Sequence, residues 1–378
     1  MIYKEFQGLK LSALGLGCMR LPTVGGEDSA IDEAAVRDMV AYAMKNGINY
    51  YDTAWMYHDG ESEIMMGKIL KDYPRDSFYL ATKFPTFSEE TLSNVEGVFE
   101  KQLEKCGVDH FDFYLFHNVC ERNIDALLDD EKYGIFSYLK KQKENGRIRH
   151  LGFSAHGNYD TLKRFLEAYG KDLEFCQLQL NYLDWSYQKA KEKVELMNEY
   201  HIPVWVMEPV RGGRLAKLAP EYEEKLEALR PKETMPGWAF RFLQSIDSVT
   251  MILSGMSNMD QLRDNIETFK EQKPLTETEM SALSEIVEDM MTKKMLPCTG
   301  CRYCTTKCPM ELNIPRFLSA YSTMLIRGDS TFDTSDWDDI PEDKWPTACI
   351  GCRSCESICP QGIKISEVMS DFADKIEK

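Results

Sequence analysis

The chain has 378 residues, with 45 Lys and Arg against 62 Asp and Glu, for a formal net charge of −17. Its 43% hydrophobic and 11% aromatic content repays the entropy of ordering, which excludes intrinsic disorder and leaves room for a large domain and a smaller one. There is no basic surplus to neutralise phosphates, so nucleic acids and anionic membrane surfaces are excluded as partners. The start, Met1-Ile2-Tyr3-Lys4-Glu5-Phe6, lacks the basic and apolar stretches of a secretion signal, and no run approaches ~20 apolar residues, so a cytoplasmic location is expected. Twelve cysteines in a reducing compartment read as ligands or redox groups rather than as a disulfide framework.

Over residues 10–270 one rhythm recurs: a short apolar or β-branched run, a polar turn, then an amphipathic helical pattern. Runs begin near Ala13, Ile48, Phe78, Phe111, Arg149, Phe175, Pro203 and Val249, with helical spacing over 31–46, 90–106, 159–168 and 187–200. Eight such units predict an α/β fold, a closed (β/α)8 TIM barrel over residues 1–275, with its chemistry at the C-terminal strand ends. A doubly wound open sheet is the alternative. After Lys273-Pro274 the pattern changes: Thr276-x-Thr278-Glu279 reads as a capping box opening a helix that runs to about Lys294. Sheet-like runs do not return, and residues 276–378 are expected to form a small, mainly α-helical ferredoxin-like domain. Its 327–346 stretch holds six Asp and one Glu, either a solvated loop or a docking face for a redox protein partner.

Within that domain residues 298–308 repeat as 349–359. Each copy reads CxxCxxCxxxCP: Cys298, Cys301, Cys304 and Cys308 before Pro309, then Cys349, Cys352, Cys355 and Cys359 before Pro360. Three thiolates so closely spaced wrap one face of an iron–sulfur cubane, and in two-cluster ferredoxins the fourth cysteine crosses to the other cluster. The expected ligand sets for two [4Fe–4S] clusters are therefore Cys298, Cys301, Cys304 and Cys359, and Cys349, Cys352, Cys355 and Cys308. Zinc, the competing ion, normally takes two CxxC pairs on separate loops. Cys18, Cys106, Cys120 and Cys176 lie in or near apolar runs and read as packing residues or loop thiols.

Four titratable residues fall at or beyond the ends of three successive predicted strands: Asp52 and Tyr57 after the second, Lys83 after the third, His117 after the fourth. With them, Tyr51-Asp52-Thr53-Ala54-x-x-Tyr57, Ala81-Thr82-Lys83, Asp112-x-Tyr114-x-Phe116-His117 and Gly152-Phe153-Ser154 strongly resemble the signatures of the aldo/keto reductase superfamily over residues 1–270. The resemblance implies that Tyr57 is the general acid of carbonyl reduction, that Lys83 lowers its pKa, that Asp52 holds Lys83, and that His117 orients the substrate oxygen. His58, adjacent to Tyr57, reads as a loop histidine.

The resemblance also implies an NAD(P)H site. Ser154 and Gln177 match positions near the nicotinamide carboxamide, and Gly255, Ser257, Gln261 and Asn265 match positions around the adenosine phosphate. Gly15-Leu16-Gly17 is no Rossmann fingerprint, because Arg20 stands where a third glycine would fall; Gly17 reads instead as a close backbone approach. The chain departs from the family at three places: Ser154-Ala155-His156, Met207-Glu208-Pro209-Val210, and Asn258 where a phosphate-binding arginine is frequent. Met207 replaces an aromatic partner of the nicotinamide, and the neutral Asn258 weakens support for a 2′-phosphate, with Arg211, Arg214 and Arg263 as compensating cations. Hydride carries two electrons together whereas each cluster takes one, so a flavin in the same mouth is a further expectation. These readings predict an oxidoreductase acting on a small-molecule carbonyl or alcohol, with electron transfer through the clusters. The alternative is a redox-sensing adaptor whose barrel binds a nicotinamide or flavin without turnover.

Overall fold

The computed structural model describes every residue except 26, 87, 297, 299–302, 338–339, 360–361 and 377–378. In chain order its strands are β1 Tyr3–Phe6, β2 Leu9–Ser12, β3 Leu14–Gly17, β4 Tyr50–Asp52, β5 Tyr79–Phe84, β6 Phe111–Val119, β7 Ile148–Ala155, β8 Cys176–Gln179, β9 Val204–Met207 and β10 Val249–Ser254. The longer helices are α1 Glu33–Lys45, α2 Glu61–Leu70, α3 Val95–Cys106, α4 Ile135–Glu144, α5 Tyr159–Tyr169, α6 Ala190–Glu199, α7 Pro220–Leu229, α8 Met235–Gln244, α9 Met259–Thr268, α10 Glu277–Asp289, α11 Ile314–Arg327 and α12 Ile365–Ala373. The chain divides into two compact units, residues 1–209 with 236–275, and residues 210–235 with 276–378. Among the described residues no helix is long and apolar enough to cross a membrane.

In the first unit, among the described residues, β3 to β10 close a barrel in sequential order, every neighbouring pair parallel. The expected closed barrel forms, and the doubly wound open sheet is set aside. The β-branched and aromatic runs supply residues that fill the interior, where Tyr50, Ala81, Phe113, Leu115, Phe175, Trp205, Met251 and Leu253 pack together. Glycine at position 15 is required by this filling: a Cβ there would lie 2.6 Å from Leu253 Cδ2 and 3.1 Å from Met251 Sδ.

The sequence rhythm does not reveal the antiparallel hairpin β1–β2 ahead of the barrel. Its turn, Gln7-Gly8, has both residues left-handed, at φ 47° and 83°, the geometry that matches the twist of two paired strands. Phe6 and Leu11 join the interior cluster. The Phe6 ring sits edge-on to Trp205 at 5.0 Å and to His150 at 5.1 Å, close to the starts of β9 and β7. The hairpin therefore plugs the N-terminal end of the barrel, leaving the C-terminal end for chemistry.

In the second unit, α10 opens with the predicted capping box: Glu279 N donates to Thr276 Oγ1 at 3.3 Å and Thr276 N to Glu279 Oε2 at 2.8 Å. Arg230 clamps the same carboxylate through Nε at 2.8 Å and Nη2 at 2.7 Å, which links α10 to the end of α7. Its guanidinium holds the Glu279 pKa down to about 2. The core of this unit gathers Phe317, Leu318 and Tyr321 of α11, Met369 and Phe372 of α12, and Trp337.

Two predictions follow from this packing. Phe6→Ala is expected to cost about 3–5 kcal/mol in denaturant unfolding of the barrel, with retained substrate-site chemistry; a loss below about 1 kcal/mol would show that the hairpin is not a plug. The depressed Glu279 carboxylate contributes stability that is complete above its ordinary value near 4.5 and lost as pH falls toward about 2. Glu279→Gln should therefore flatten the acid dependence of second-unit stability, measured by circular dichroism across that range.

Candidate active site and cysteine cavity

Asp52 closes β4 and pairs in register with Ala81, two residues before Lys83, while Lys83 pairs with Leu115, two residues before His117. Alternation along a strand then puts Asp52, Lys83 and His117 on the inner face of three successive strands, at their C-terminal ends. A register shift after Phe116, with Asn118 left-handed at φ 61°, re-aims the end of β6 at His117. Tyr57 comes from the loop after β4 and faces His117 edge-on at 5.9 Å. The structure thus brings all four predicted residues to one place.

Lys83 is the hub. Its ammonium has three protons and three acceptors: Asp52 Oδ1 at 2.6 Å, Thr53 O at 2.8 Å and Tyr57 Oη at 3.2 Å. Lys83 is 1% exposed and Asp52 2%, whereas Tyr57 and His117 are half-buried and reachable from the mouth. Because Tyr57 Oη accepts from the ammonium, its own proton is free to point to a ligand.

Burial works against the Lys83 charge, but Asp52 and Tyr57 outweigh it and hold the pKa above its usual value. Burial raises the Asp52 pKa despite Lys83. For Tyr57 the sequence-based direction needs correction. Burial comes first and raises its pKa, the Lys83 charge lowers it, Asp52 raises it, and the net is upward from 10.0. Lys83 thus limits a rise that the buried position imposes. Burial, followed by the Lys83 charge, drives His117 well below 6.5, so its imidazole is neutral at physiological pH.

The predicted cofactor residues fall into three groups. Ser154 and Gln177 pair in register on β7 and β8; Ser154 Oγ accepts from Asn118 N at 2.8 Å. Gln177 Oε1 and Asn118 Oδ1 are buried acceptors with no hydrogen-bond partner among the described residues, and they fit a ligand that offers amide N–H groups. Met207 ends β9 in the same ring of strands.

Gly255, Ser257, Asn258, Gln261 and Asn265 form a second group in the turn after β10 and the start of α9. A Cβ on Gly17 would lie 3.4 Å from Gly255 N, an ordinary van der Waals separation, so the packing of these strand ends does not require the close backbone approach expected of Gly17. Asn258 is the N-cap of α9, its Oδ1 accepting from Gln261 N at 3.0 Å, and Gln261 Oε1 accepts from Ser257 N at 2.8 Å. Asn265 Nδ2 donates to Ser254 Oγ at 3.0 Å. Arg214 belongs to the second unit, where it donates to Ser319 Oγ at 3.2 Å.

Two residues around the site escape sequence reasoning. His58, read above as a loop histidine, is 3% exposed. Its Nε2 accepts from Leu21 N at 3.0 Å and its Nδ1 lies 2.7 Å from Asp28 O, so it ties the loop after β3 to the Tyr57 loop. Glu63, on the buried side of α2, is itself fully buried; a carboxylate in a helical stripe of buried residues was the available signal. The remaining barrel cysteines, Cys18, Cys106, Cys120 and Cys176, are buried.

In the second unit, Cys308, Cys349, Cys352 and Cys355 line one cavity whose other walls include Leu312, Ile314, Ile365 and Met369. Four soft thiol donors around an apolar-walled space suit an iron–sulfur cubane. Of the other expected set, Cys298, Cys304 and Cys359 belong to or pack on the domain core, and the turn holding Cys304 contacts the turn before Cys359. Cys301 lies outside the described residues.

The barrel half matches the aldo/keto reductase family over residues 13–288, and residues 297–363 match a 4Fe-4S dicluster domain. The structure of aldo-keto reductase AKR11C1 from Bacillus halodurans, holo form, is similar with a TM-score of 0.61 and 26% identity, covering 75% of this chain and 96% of that one. The thermostable aldo-keto reductase Tm1743, solved with the inhibitor epalrestat, shares the fold at TM-score 0.60 and 20% identity, covering 75% and 99%. "Uncharacterized oxidoreductase YqkF" of Bacillus subtilis (strain 168) is 25% identical over 307 residues, covering 73% of this chain and 92% of that protein. "Probable aldo-keto reductase 1" of Glycine max is 28% identical over 215 residues; there the match covers 55% of this chain and 58% of the relative, less than two thirds of its length.

A neutral His117 has a spectroscopic consequence. Its imidazole NMR signals should not titrate between about pH 6 and pH 8, the range in which an ordinary histidine changes charge. A midpoint near the usual value would contradict the buried, ammonium-facing placement.

Proposed function

Because the chain belongs to the aldo/keto reductase family, we propose that it interconverts a small-molecule carbonyl and its alcohol at the barrel mouth, with two [4Fe–4S] clusters in the C-terminal domain relaying electrons. The observation that carries the reading is the Lys83 ammonium, held 2.6 Å from Asp52 and 3.2 Å from the Tyr57 oxygen. A phenol, a buried cation and a neutral imidazole in one cavity are the parts a proton transfer to a nascent alkoxide needs.

A nicotinamide cofactor, when bound, supplies the hydride for reduction or takes it up in oxidation. Gln177 Oε1 and Asn118 Oδ1 would accept from its carboxamide, with Ser154 fixing the Asn118 main chain. Ser257, Asn258, Gln261 and Asn265 hold the turn whose helix, α9, would present the positive end of its dipole to the cofactor's phosphate. Met207, at the end of β9, would offer its thioether to the nicotinamide ring.

His117 donates a hydrogen bond to the carbonyl oxygen and polarises it. As negative charge grows there, the Tyr57 O–H bond breaks and the proton passes to the substrate oxygen. An alkoxide is far more basic than a phenol, so even a Tyr57 whose pKa stands above the ordinary value gives up its proton downhill. Lys83 stabilises the phenolate left behind, and Asp52 keeps the ammonium in place. In the alcohol-oxidising direction the phenolate takes the proton back.

The C-terminal ligand sets are Cys298, Cys301, Cys304 and Cys359, and Cys308, Cys349, Cys352 and Cys355. They provide two one-electron centres, matching in number the two electrons a carbonyl/alcohol couple exchanges.

Anaerobic assay with NADH or NADPH and a carbonyl panel tests the reading. Tyr57→Phe should lower kcat by on the order of 10²–10⁴-fold while keeping about eight irons per chain; full turnover in that variant would remove Tyr57 as the acid. Cys308→Ser should lose about half the iron. If reduced nicotinamide leaves the cluster absorbance unbleached while carbonyls are turned over, the relay fails and the reductase stands.

A further inference from the structure

Helix α2 starts four residues after Tyr57, and its buried face includes Glu63, Met66, Gly67 and Leu70. A carboxylate in that stripe requires partners, because an isolated buried charge is not tolerated. They come from two other elements. Glu63 Oε1 accepts from Thr82 Oγ1 of β5 and from Gln102 Nε2 of α3, both at 2.6 Å, and Oε2 accepts from Lys105 Nζ of α3 at 2.7 Å. Gln102 Nε2 also donates to the main-chain oxygen of Lys83 at 3.0 Å. The Lys105 ammonium lies 4.8 Å from the centre of the Trp55 ring, two residues before Tyr57.

We propose that Glu63 is a positioning residue of the reaction site, whose carboxylate sets the separation between the Tyr57 phenol and the Lys83 ammonium. The two groups hang from different elements, and both are referenced to this one side chain. On the strand side, Thr82 immediately precedes Lys83 and Gln102 holds its carbonyl. On the loop side, Glu63 anchors the first turn of α2, and Lys105, paired to it, holds Trp55. Between Tyr57 and α2 lie only His58, Asp59 and Gly60, all left-handed at φ 54°, 53° and 94°, a compact link that transmits a shift of the helix to the phenol. One turn on, α2 has no slack: a Cβ on Gly67 would lie 2.6 Å from the Cys106 main chain of α3. Bonds of 2.6–2.7 Å at Glu63 against 3.2 Å between Tyr57 and Lys83 make the latter the softer contact. It follows the carboxylate.

The inference rests on the reading of Tyr57 as the acid, and its test separates the two. The oxidised holoprotein, labelled with [¹³Cζ]tyrosine, is compared as unmodified chain, Glu63→Gln and Val98→Ala, a core variant on α3 that leaves Glu63 bonded. Tyr57→Phe assigns the Tyr57 signal. Glu63→Gln should displace the Tyr57 resonance, lower kcat for reduction about tenfold with an unchanged KM, and move the alkaline limb of the kcat profile upward by about half a unit, because a looser ammonium contact raises the phenol pKa. Val98→Ala should do none of these. An unmoved resonance and limb in Glu63→Gln, with kcat reduced no more than in Val98→Ala, would overturn the proposal and leave Glu63 a structural brace. If Glu63→Gln does not fold, Lys105→Met, at a side chain 10% exposed, is expected to displace the same signal, and an unmoved one overturns the proposal. A displaced resonance in a protein that reduces no carbonyl supports the positioning role and defeats the reductase reading.

Discussion

The barrel mouth is organised around a buried ammonium. Lys83 has lost nearly all contact with water, a position that disfavours a charged amine unless every proton is matched. Asp52, Thr53 O and Tyr57 match them one for one. That requirement fixes the end of β4, the end of β5 and the loop between β4 and α2 relative to one another. An arrangement demanded by electrostatics thereby also leaves the phenol proton free for a ligand at the barrel mouth.

The same logic repeats one layer outward. Glu63 is a buried anion behind β5, and its partners Thr82, Gln102 and Lys105 form a connected polar network rather than isolated bonds. At the opposite end of the barrel, Asp112 is fully buried and accepts from Arg75 Nη2 and Arg149 Nη1, each at 2.7 Å, and from Leu80 N at 2.9 Å. Aromatic and aliphatic side chains fill the space between. The barrel is a packed core in which the buried charges of Lys83, Glu63 and Asp112 are each paired with a partner of opposite sign.

Much of this was legible in the chain. Eight apolar runs mapped onto eight strands because a parallel strand buried on both faces leaves a continuous hydrophobic signature. Thr276 and Glu279 announced a helix start because a capping box is local. The β1–β2 hairpin was not seen: its strands are four residues each, and only the Gln7-Gly8 turn marks them. The net direction at Tyr57 was also misjudged, since a neighbouring lysine can be read from a motif whereas the depth of burial cannot. Asn258, read as a weak phosphate contact, is occupied as a helix cap, a use set by the backbone turn after β10.

Residue spacing was sufficient for the class of chemistry: two cysteine runs able to wrap cubanes, and a Tyr, Lys, Asp and His on successive strand ends. Such patterns survive in one dimension because their members lie within a few residues of one another or recur at the period of the strands. What the folded chain added was the company each group keeps. Asn118 Oδ1 and Gln177 Oε1 have no hydrogen-bond partner among the described residues, His58 braces two loops, and Glu63 gathers β5 and α3. These facts depend on segments up to about 40 residues apart, and burial and cross-element hydrogen bonds exist only once those segments are packed together.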